Sequence, residues 1–514
     1  MKHFLLFLSL LSVSIIHAQT YNDEALLYAR SGISGTARSI GSASAYGSVG
    51  ADLGSVSINP AGLGLYRSTD FAITPGLNIA NNQAEFDGSL TKANSNKLFF
   101  NQAGVAFCKL LNKEQKPNDF SFSAVKFKAI TFAINYQRES MFNRVENFSG
   151  TNLYNSGIDA YTAYVNSTFY PFDAGHYPPE MVLAWQTALI DFDSVNHIYV
   201  SNVRPKVLQT GNIVSKGAVD HVDIAFGGNL NDKFYFGAGV GFSILTYSRD
   251  ATFTEVKGND TLHLFQDYTY TANYRATGLG INAKFGIIYR PAAFMRLGLA
   301  YQIPTFYNLT ENYLGTTTSY FDTASYSLQL EQYPLKYKIR EPMKGTASAS
   351  FYFKEFGFLS VDYEFQNFGS TKFDFGSDYK AFSDATNADQ KKYYTFNHTV
   401  RAGFEGSYKT LRLRCGYAFS TTPYKKDYVM KGYAETKHNI TAGIGYRGKR
   451  FYADFAYAYS TTKEANSPYA DFVVKNTFNT HTAFITIGWR ITKENTPSET
   501  IKRSNAKGKP KMSF

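Results

Sequence analysis

Gly443-Ile444-Gly445-Tyr446-Arg447-Gly448 carries the G-x-G-x-x-G spacing that cradles a dinucleotide pyrophosphate when it joins a strand to a helix. Here the glycines alternate with Ile444 and Tyr446 in strand fashion and run into a Gly448-Lys449 turn. No helical pattern follows to receive a phosphate, so the match reflects strand composition. The chain holds no G-x-S-x-G, P-loop or C-x-x-C, and its nine His are scattered without metal-ligand spacing. His398, His438 and His481, near strand starts, read as rim residues in water. No nucleophile is marked as paired with a base, so the chain reads as a non-enzyme without a cofactor or a bound metal.

Charge offers a second candidate chemistry. Strand parity puts Asp223, Lys284, Arg290, Arg296, Asp362, Glu364, Arg401, Glu405, Arg412, Arg414, Asp454 and Arg490 on one common face. Buried charges of mixed sign are stable only when they pair with each other or with whatever fills the space they face. Arg412 and Arg414, two residues apart and so on the same face, are also candidates for holding the carboxylate of an amphipathic ligand.

The elements that would position these groups are strands. Between 234 and 244 the even positions are Phe, Phe, Ala, Val, Phe and Ile, while the odd ones are Tyr, Gly, Gly, Gly and Ser. Between 483 and 491 the odd positions are Ala, Ile, Ile, Trp and Ile against Thr486, Gly488 and Arg490, with Phe484 the exception. The same alternation occurs at 71–79, 99–107, 130–136, 222–230, 279–289, 297–303, 347–353, 359–365, 400–404, 411–419, 440–446 and 451–459, which makes fourteen strands. An even number of ten-residue strands, apolar outward and polar inward, is the pattern of a transmembrane β-barrel. Short links at 231–233, 291–293, 354–355, 409–410 and 448–450 alternate with long ones at 139–218, 249–273, 304–336, 368–394, 421–437 and 461–480. Turns on one rim and loops on the other are what such a barrel shows, the short rim being periplasmic.

The ends agree with export. Met1-Lys2, an apolar run from Phe4 to Ile16 and Ala18 before Gln19 read as a signal peptide, residues 1–18. The composition, 39 Tyr and 44 Phe with only 2 Trp, suits strands and membrane interfaces. Two cysteines, Cys108 and Cys415, fall on opposite faces of remote strands and are expected to be free. Part of the net charge of +11 sits in a polar, basic tail at 492–514, so it signals no nucleic-acid partner.

Between the signal peptide and the first strand lies a stretch too rich in glycine for a stable helix, GTARSIGSASAYGSVGADLGSVSINPAGLGL (35–65). Asn59-Pro60 starts a turn, and Gly62 and Gly64 give it conformational freedom. Gly35-Thr36-Ala37-Arg38, Asp52 and Asn59-Pro60-Ala61-Gly62-Leu63 together resemble the N-terminal hatch of the FadL family (OMPP1/FadL/TodX) of outer-membrane transport proteins. That resemblance implies an all-β fold, a fourteen-stranded antiparallel barrel (70–491) with a hatch (19–69) in its lumen. It also implies passive uptake of hydrophobic or amphipathic small molecules such as long-chain fatty acids, gated near Asn59 to Leu63, by a monomer among outer-membrane lipid in a Gram-negative bacterium. Within the longest loop, Pro178-Pro179-Glu180 precedes a short helical pattern whose Met181, Leu183, Trp185 and Leu189 would form an apolar extracellular surface. Two other roles stay open: a structural or docking component of an outer-membrane secretion complex, and a haem receptor. The tail beyond Ile491 departs from barrels that end on an aromatic residue.

Overall fold

The computed structural model describes residues 18–111, 127–168, 177–258, 264–469 and 472–491. The signal-peptide residues 1–17, most of the 110–118 link and the basic tail lie outside them. Fourteen strands form the wall: β1 (Thr69–Phe86), β2 (Ser89–Leu110), β3 (Phe127–Met141), β4 (Val207–Leu230), β5 (Phe234–Val256), β6 (Phe265–Ala292) and β7 (Met295–Gln302) come first. They are followed by β8 (Lys344–Tyr352), β9 (Gly357–Asn367), β10 (Phe396–Tyr408), β11 (Leu411–Ser420), β12 (Lys437–Arg447), β13 (Phe451–Tyr469) and β14 (Phe472–Ile491). Each pairs antiparallel with the next. The ring closes where β1 meets β14, from Thr69↔Ile491 to Glu85↔Lys475. Closure leaves no sheet edge to be satisfied in lipid.

The two faces are as different as the alternation predicts. On β14, Ile485, Ile487, Trp489 and Ile491 are exposed on the outside, while Thr486 is fully buried. Phe71, Phe132, Ile224, Phe242, Phe404 and Phe455 continue the outer apolar band on other strands. Such a band around a closed ring defines a bacterial outer-membrane barrel. Phe484, the exception to the alternation, turns inward and meets Phe99 edge-on at 5.9 Å.

The short rim is as expected, with Asn231 and Asp232 both at positive φ in the β4–β5 turn, the geometry of a tight hairpin. The opposite rim differs. Much of what reads in the sequence as long loop at 249–273 and 461–480 is strand, because β5, β6, β13 and β14 run well past the apolar band, and most of 304–336 is strand as well. β1 and β2 likewise meet in an Asp87-Gly88 turn, both residues at positive φ. Four further strands extend the sheet on this side: Arg144–Asn152 on β4, Phe306–Phe321 on β6, Ser325–Arg340 on that strand, and Lys372–Asp374. Beyond lipid nothing imposes apolar alternation, and Thr- and Tyr-rich segments such as 269–274 pair through their β propensity alone.

The segment before β1 fills the interior. Helix α1 (Ala18–Ala29) and the single turn α2 (Ala37–Ile40) precede two 3-10 turns, Leu53–Ser55 and Pro60–Leu65. Its hydrogen bonds reach Thr486 on β14, Glu405 on β10, Thr441 on β12, Asp362 on β9, Asp223 on β4 and Arg296 on β7. A segment bonded to inward-facing side chains around the ring lies in the lumen.

Candidate functional site, the luminal plug

Space for the plug comes from small inward residues. Leu53, Val56, Leu63 and Tyr66 pack against Ala72, Ala106, Ala133 and Ala225, one from each of four neighbouring strands. Burying Leu53 and Leu63 stabilises the docked plug by roughly 1.5–3 kcal/mol each. Where even alanine would be too large the wall uses glycine: a Cβ at Gly237 would strike the Pro60 carbonyl, and one at Gly403 would strike Ser42. The G-x-G-x-x-G match has this physical origin, since Gly443 passes against Gly41 and Gly445 lies beside Arg414 and Asp454.

The plug residues singled out in the sequence act as local caps and wall contacts. Thr36 Oγ1 accepts from Ser39 N at 3.2 Å, capping α2, and donates to Asp52 Oδ1 at 2.7 Å. Asp52 Oδ1 also accepts from Gly54 N at 2.9 Å, so one carboxylate ties two turns. Asn59 Oδ1 accepts from Ala61 N at 3.0 Å, and its Nδ2 donates to Gly47 O at 2.7 Å. Pro60 begins the turn without an N–H to satisfy, and Ala61, Gly62 and Leu63 behind it are buried.

Charge locks the plug to the wall. Arg38 Nε and Nη2 donate to the two oxygens of Glu405 at 3.0 and 3.2 Å. Glu405 also accepts from Arg414 Nε at 2.6 Å; Arg414 Nη1 then reaches Asp454 at 2.8 Å, and Arg447 closes on the other Asp454 oxygen at 2.7 Å. Lys284–Asp223 and Arg401–Glu364 are further luminal pairs, at 2.8 and 3.1 Å. The charged inner face therefore pairs largely with itself and the plug.

Two candidate sites take a different form from the one the sequence suggests. Arg412 and Arg414 do not converge: Arg412 donates to the carbonyls of Lys409 and Leu411 at the short-turn rim, whereas Arg414 is committed to Glu405 and Asp454. The helix α4 (Pro179–Gln186), which follows α3 (Gly157–Thr168), corrects the second. Met181, Leu183 and Leu189 are buried against Ile158, Phe265 and Gly315, and only Trp185, 36% exposed, reaches the surface. The helix covers the loop side of the barrel with its own apolar face because an exposed stripe of that size would be costly.

His398, His438 and His481, which read in the sequence as rim residues in water, instead lie on the outer wall, each half-buried beside a tyrosine of the adjoining strand. His398 Nδ1 is 2.8 Å from the Tyr363 hydroxyl, His438 Nδ1 2.8 Å from that of Tyr417, and His481 Nδ1 2.6 Å from that of Tyr457. Cys108 faces inward toward Tyr66 O and Cys415 is exposed outward; both are free.

Two features were not read in the sequence. First, the β2–β3 ladder runs only from Gln102↔Gln137 to Leu110↔Ala129, and Arg144–Asn152 beyond it pairs with β4. The plug lines this seam: Gly32 N donates to Glu139 O at 3.0 Å, Ser34 Oγ to Arg138 O, and Asn101 Nδ2 to Gly35 O at 2.6 Å. Second, α1 stands in an aromatic chamber above the plug, with Ala25 and Tyr28 among Phe142, Tyr247, Tyr274 and Tyr307. The spacing of Ala25, Leu26, Tyr28 and Ala29 is its sequence signal. A cavity of about 40 Å³ lies between plug and wall, near Ser57, Glu139, Lys284 and Lys344, with room for a few waters.

A plugged, fourteen-stranded outer-membrane β-barrel is thus the class that fold and site define. It has the FadL-like fold: the chain is similar to the crystal structure of a Pseudomonas aeruginosa FadL homologue, with 11% identity over 89% of this chain and 99% of that one, at a TM-score of 0.53. Similarity extends to the Pseudomonas putida toluene transporter TodX (13% identity, 90% and 99% covered, TM-score 0.49) and the Ralstonia pickettii toluene transporter TbuX (15%, 90% and 97%, 0.45). No protein-family model and no curated protein matches the sequence.

Proposed function

We propose that this barrel is a passive channel that admits hydrophobic and amphipathic small molecules, long-chain fatty acids among them, through the outer membrane. The observation that carries the reading is the stacking of an aromatic chamber over a plug that fills the lumen. Such a chamber suits a greasy solute, and the plug occupies the lumen next to it. Lipopolysaccharide resists apolar solutes from outside, so a protein-lined apolar route gives them entry without an energy source.

Residues 19–69 act as the hatch in this reading, with Asn59, Pro60, Ala61, Gly62 and Leu63 as the gate. A solute leaves the chamber when that turn shifts, or sideways through the seam between β2 and β3, where plug hydrogen bonds replace the strand ladder. Mass spectrometry of an organic extract of the purified barrel tests the proposal. Near-stoichiometric hydrocarbon or fatty acid beyond the bulk membrane lipid supports it. An extract holding only bulk membrane lipid, from protein that also fails to take up added fatty acid or hydrocarbon, contradicts it.

A further inference from the structure

The rim of short turns carries one sign of charge. Of its six connections, five hold an exposed lysine: Lys109 and Lys128 flank the β2–β3 link, and Lys233, Lys354, Lys409 and Lys449 lie in the β4–β5, β8–β9, β10–β11 and β12–β13 turns. Among the described residues of those connections the acidic ones are Asp232 and Glu355, and Asp232 is already taken by Arg67 at 2.8 Å. None of the six lysines is in an ion pair among the described residues. The loop side is built differently, with partners placed together: Arg138–Asp220, Arg144–Glu464, Arg275–Asp250 and Lys475–Glu85.

Two of the lysines sit where turn geometry disfavours them. Lys354 and Lys409 both have φ of 51°, in the left-handed region that suits glycine, asparagine or aspartate. The chain uses Asn231 and Asp232 for that purpose in the β4–β5 turn, so turn formation alone does not account for lysine in the other two. The lysines also border an aromatic belt, since Phe353, Phe356, Tyr408, Tyr446 and Trp489 are exposed on the outer face at this end of the barrel. Lys409 Nζ lies 5.5 Å from the centre of the Tyr408 ring. Long basic side chains so placed lay their stems on the belt and extend their ammonium groups beyond it, to the depth of lipid phosphates.

We infer that the short-turn rim is a docking surface for anionic phospholipid of the phosphatidylglycerol type, in the leaflet facing the periplasm. Charge complementarity carries the assignment: a ring of unpaired ammonium groups at one membrane depth repels itself and is stabilised by phosphodiesters of net negative charge. Placement on the apolar belt favours a lipid over an acidic protein, which would meet the charges without needing the belt. The contact anchors the barrel at a fixed depth. It does not rest on the transport reading.

The test embeds the full-length protein in nanodiscs of equal parts phosphatidylethanolamine and phosphatidylglycerol, and native mass spectrometry reads the lipids retained by the released barrel. The native chain should retain phosphatidylglycerol over phosphatidylethanolamine by about fivefold. At about 1 M salt the ratio should approach one. The triple variant Lys354→Asn, Lys409→Asn, Lys449→Asn should lose most of the preference, and because asparagine suits positive φ it should fold at least as well, which heat-modifiable migration checks. Lys380→Gln, Lys391→Gln, Lys431→Gln, on the loop side, should keep the preference. Unselective retention by the native chain, or an equal preference in the asparagine variant, would overturn the inference. Unselective retention together with lysine-dependent binding of polyglutamate would assign the rim to an acidic protein instead.

Discussion

Asn59 of the plug sits directly over Gly286 of the wall. A methyl group at Gly286 would collide with Asn59 Oδ1, the atom that accepts from Ala61 N and shapes the turn, while Asn59 Nδ2 fixes the turn to Gly47 O. One glycine on β6 thus makes a seat for the side chain that begins the proposed gate.

Gly286→Val is therefore expected to unseat the turn and spare the wall. The substitution lies on a strand of good β propensity for valine, and its penalty falls on the plug. Limited proteolysis should show new cleavage between 59 and 66, with heat-modifiable migration on gels unchanged.

The face assignment has its own test in two adjacent residues. Ile485 is 50% exposed toward lipid and Thr486 is fully buried against Ala37. Arg at position 485 should cost about 2–4 kcal/mol near the bilayer midplane and lower the amount of protein assembled in the outer membrane. Thr486→Arg should assemble at closer to native levels, with its plug displaced. Surface labelling together with protease sensitivity separates the two outcomes.

Glu405→Gln removes the charge that pairs Arg38 with Arg414. Breaking a buried pair on one side leaves uncompensated charge and costs about 3–5 kcal/mol. Because one of its two partners belongs to the plug, denaturant melts should show an early transition for plug release ahead of the barrel. Loss of a single cooperative unit, plug and wall together, would contradict this division.

On the loop side, burial pushes the Glu255 carboxyl up to about 7, against hydrogen bonds from Gly157 N, Ser156 Oγ and Gln209 Nε2 that favour its charged form. A folded-state pKa above the unfolded one means that the folded cap holds the extra proton between the two. Its stabilisation is complete below the ordinary carboxylate pKa and declines as pH rises to about 7. Docking of α3 against Glu255 should therefore loosen between about pH 4.5 and pH 7 and then level off. Exchange at 157–168, corrected for intrinsic rates, should follow that profile in the native chain and lose it in Glu255→Gln.

The wall was legible in the sequence because lipid enforces one rule on every strand, apolar at every second residue, and 234–244 and 483–491 obey it almost without exception. The rule stops where lipid stops, so Thr269–Tyr274 looked like loop although β6 continues through it. Inward charges were placed on the correct face by parity, yet parity does not report partners, and Arg414 proved to be bound by Glu405 and Asp454 rather than available as half of a clasp with Arg412. Burial of Met181 and Leu183 was equally hidden. A short apolar stripe reads the same whether it awaits a ligand or lies on Ile158 and Gly315. The plug motif was visible as glycine, Asn59 and Pro60, whereas the packing of α1 depends on Tyr247, Tyr274, Tyr307 and Tyr337 from four distant strands.

In the proposed function apolar molecules cross this barrel and the turn at Asn59 to Leu63 controls them. The direct measurement is the uptake rate of a fluorescent long-chain fatty acid, beside a hydrophilic dye of similar size. It is made in cells whose outer membrane carries the native chain, the Asn59→Ala/Gly62→Val double variant, or neither. The native chain should speed fatty-acid entry and not dye entry. The double variant, with folding and heat-modifiability intact, should change the fatty-acid rate, upward if the plug loosens and downward if it jams. Equal fatty-acid rates with and without the native chain would contradict the channel, and equal rates for the native chain and a normally folded double variant would contradict the gate.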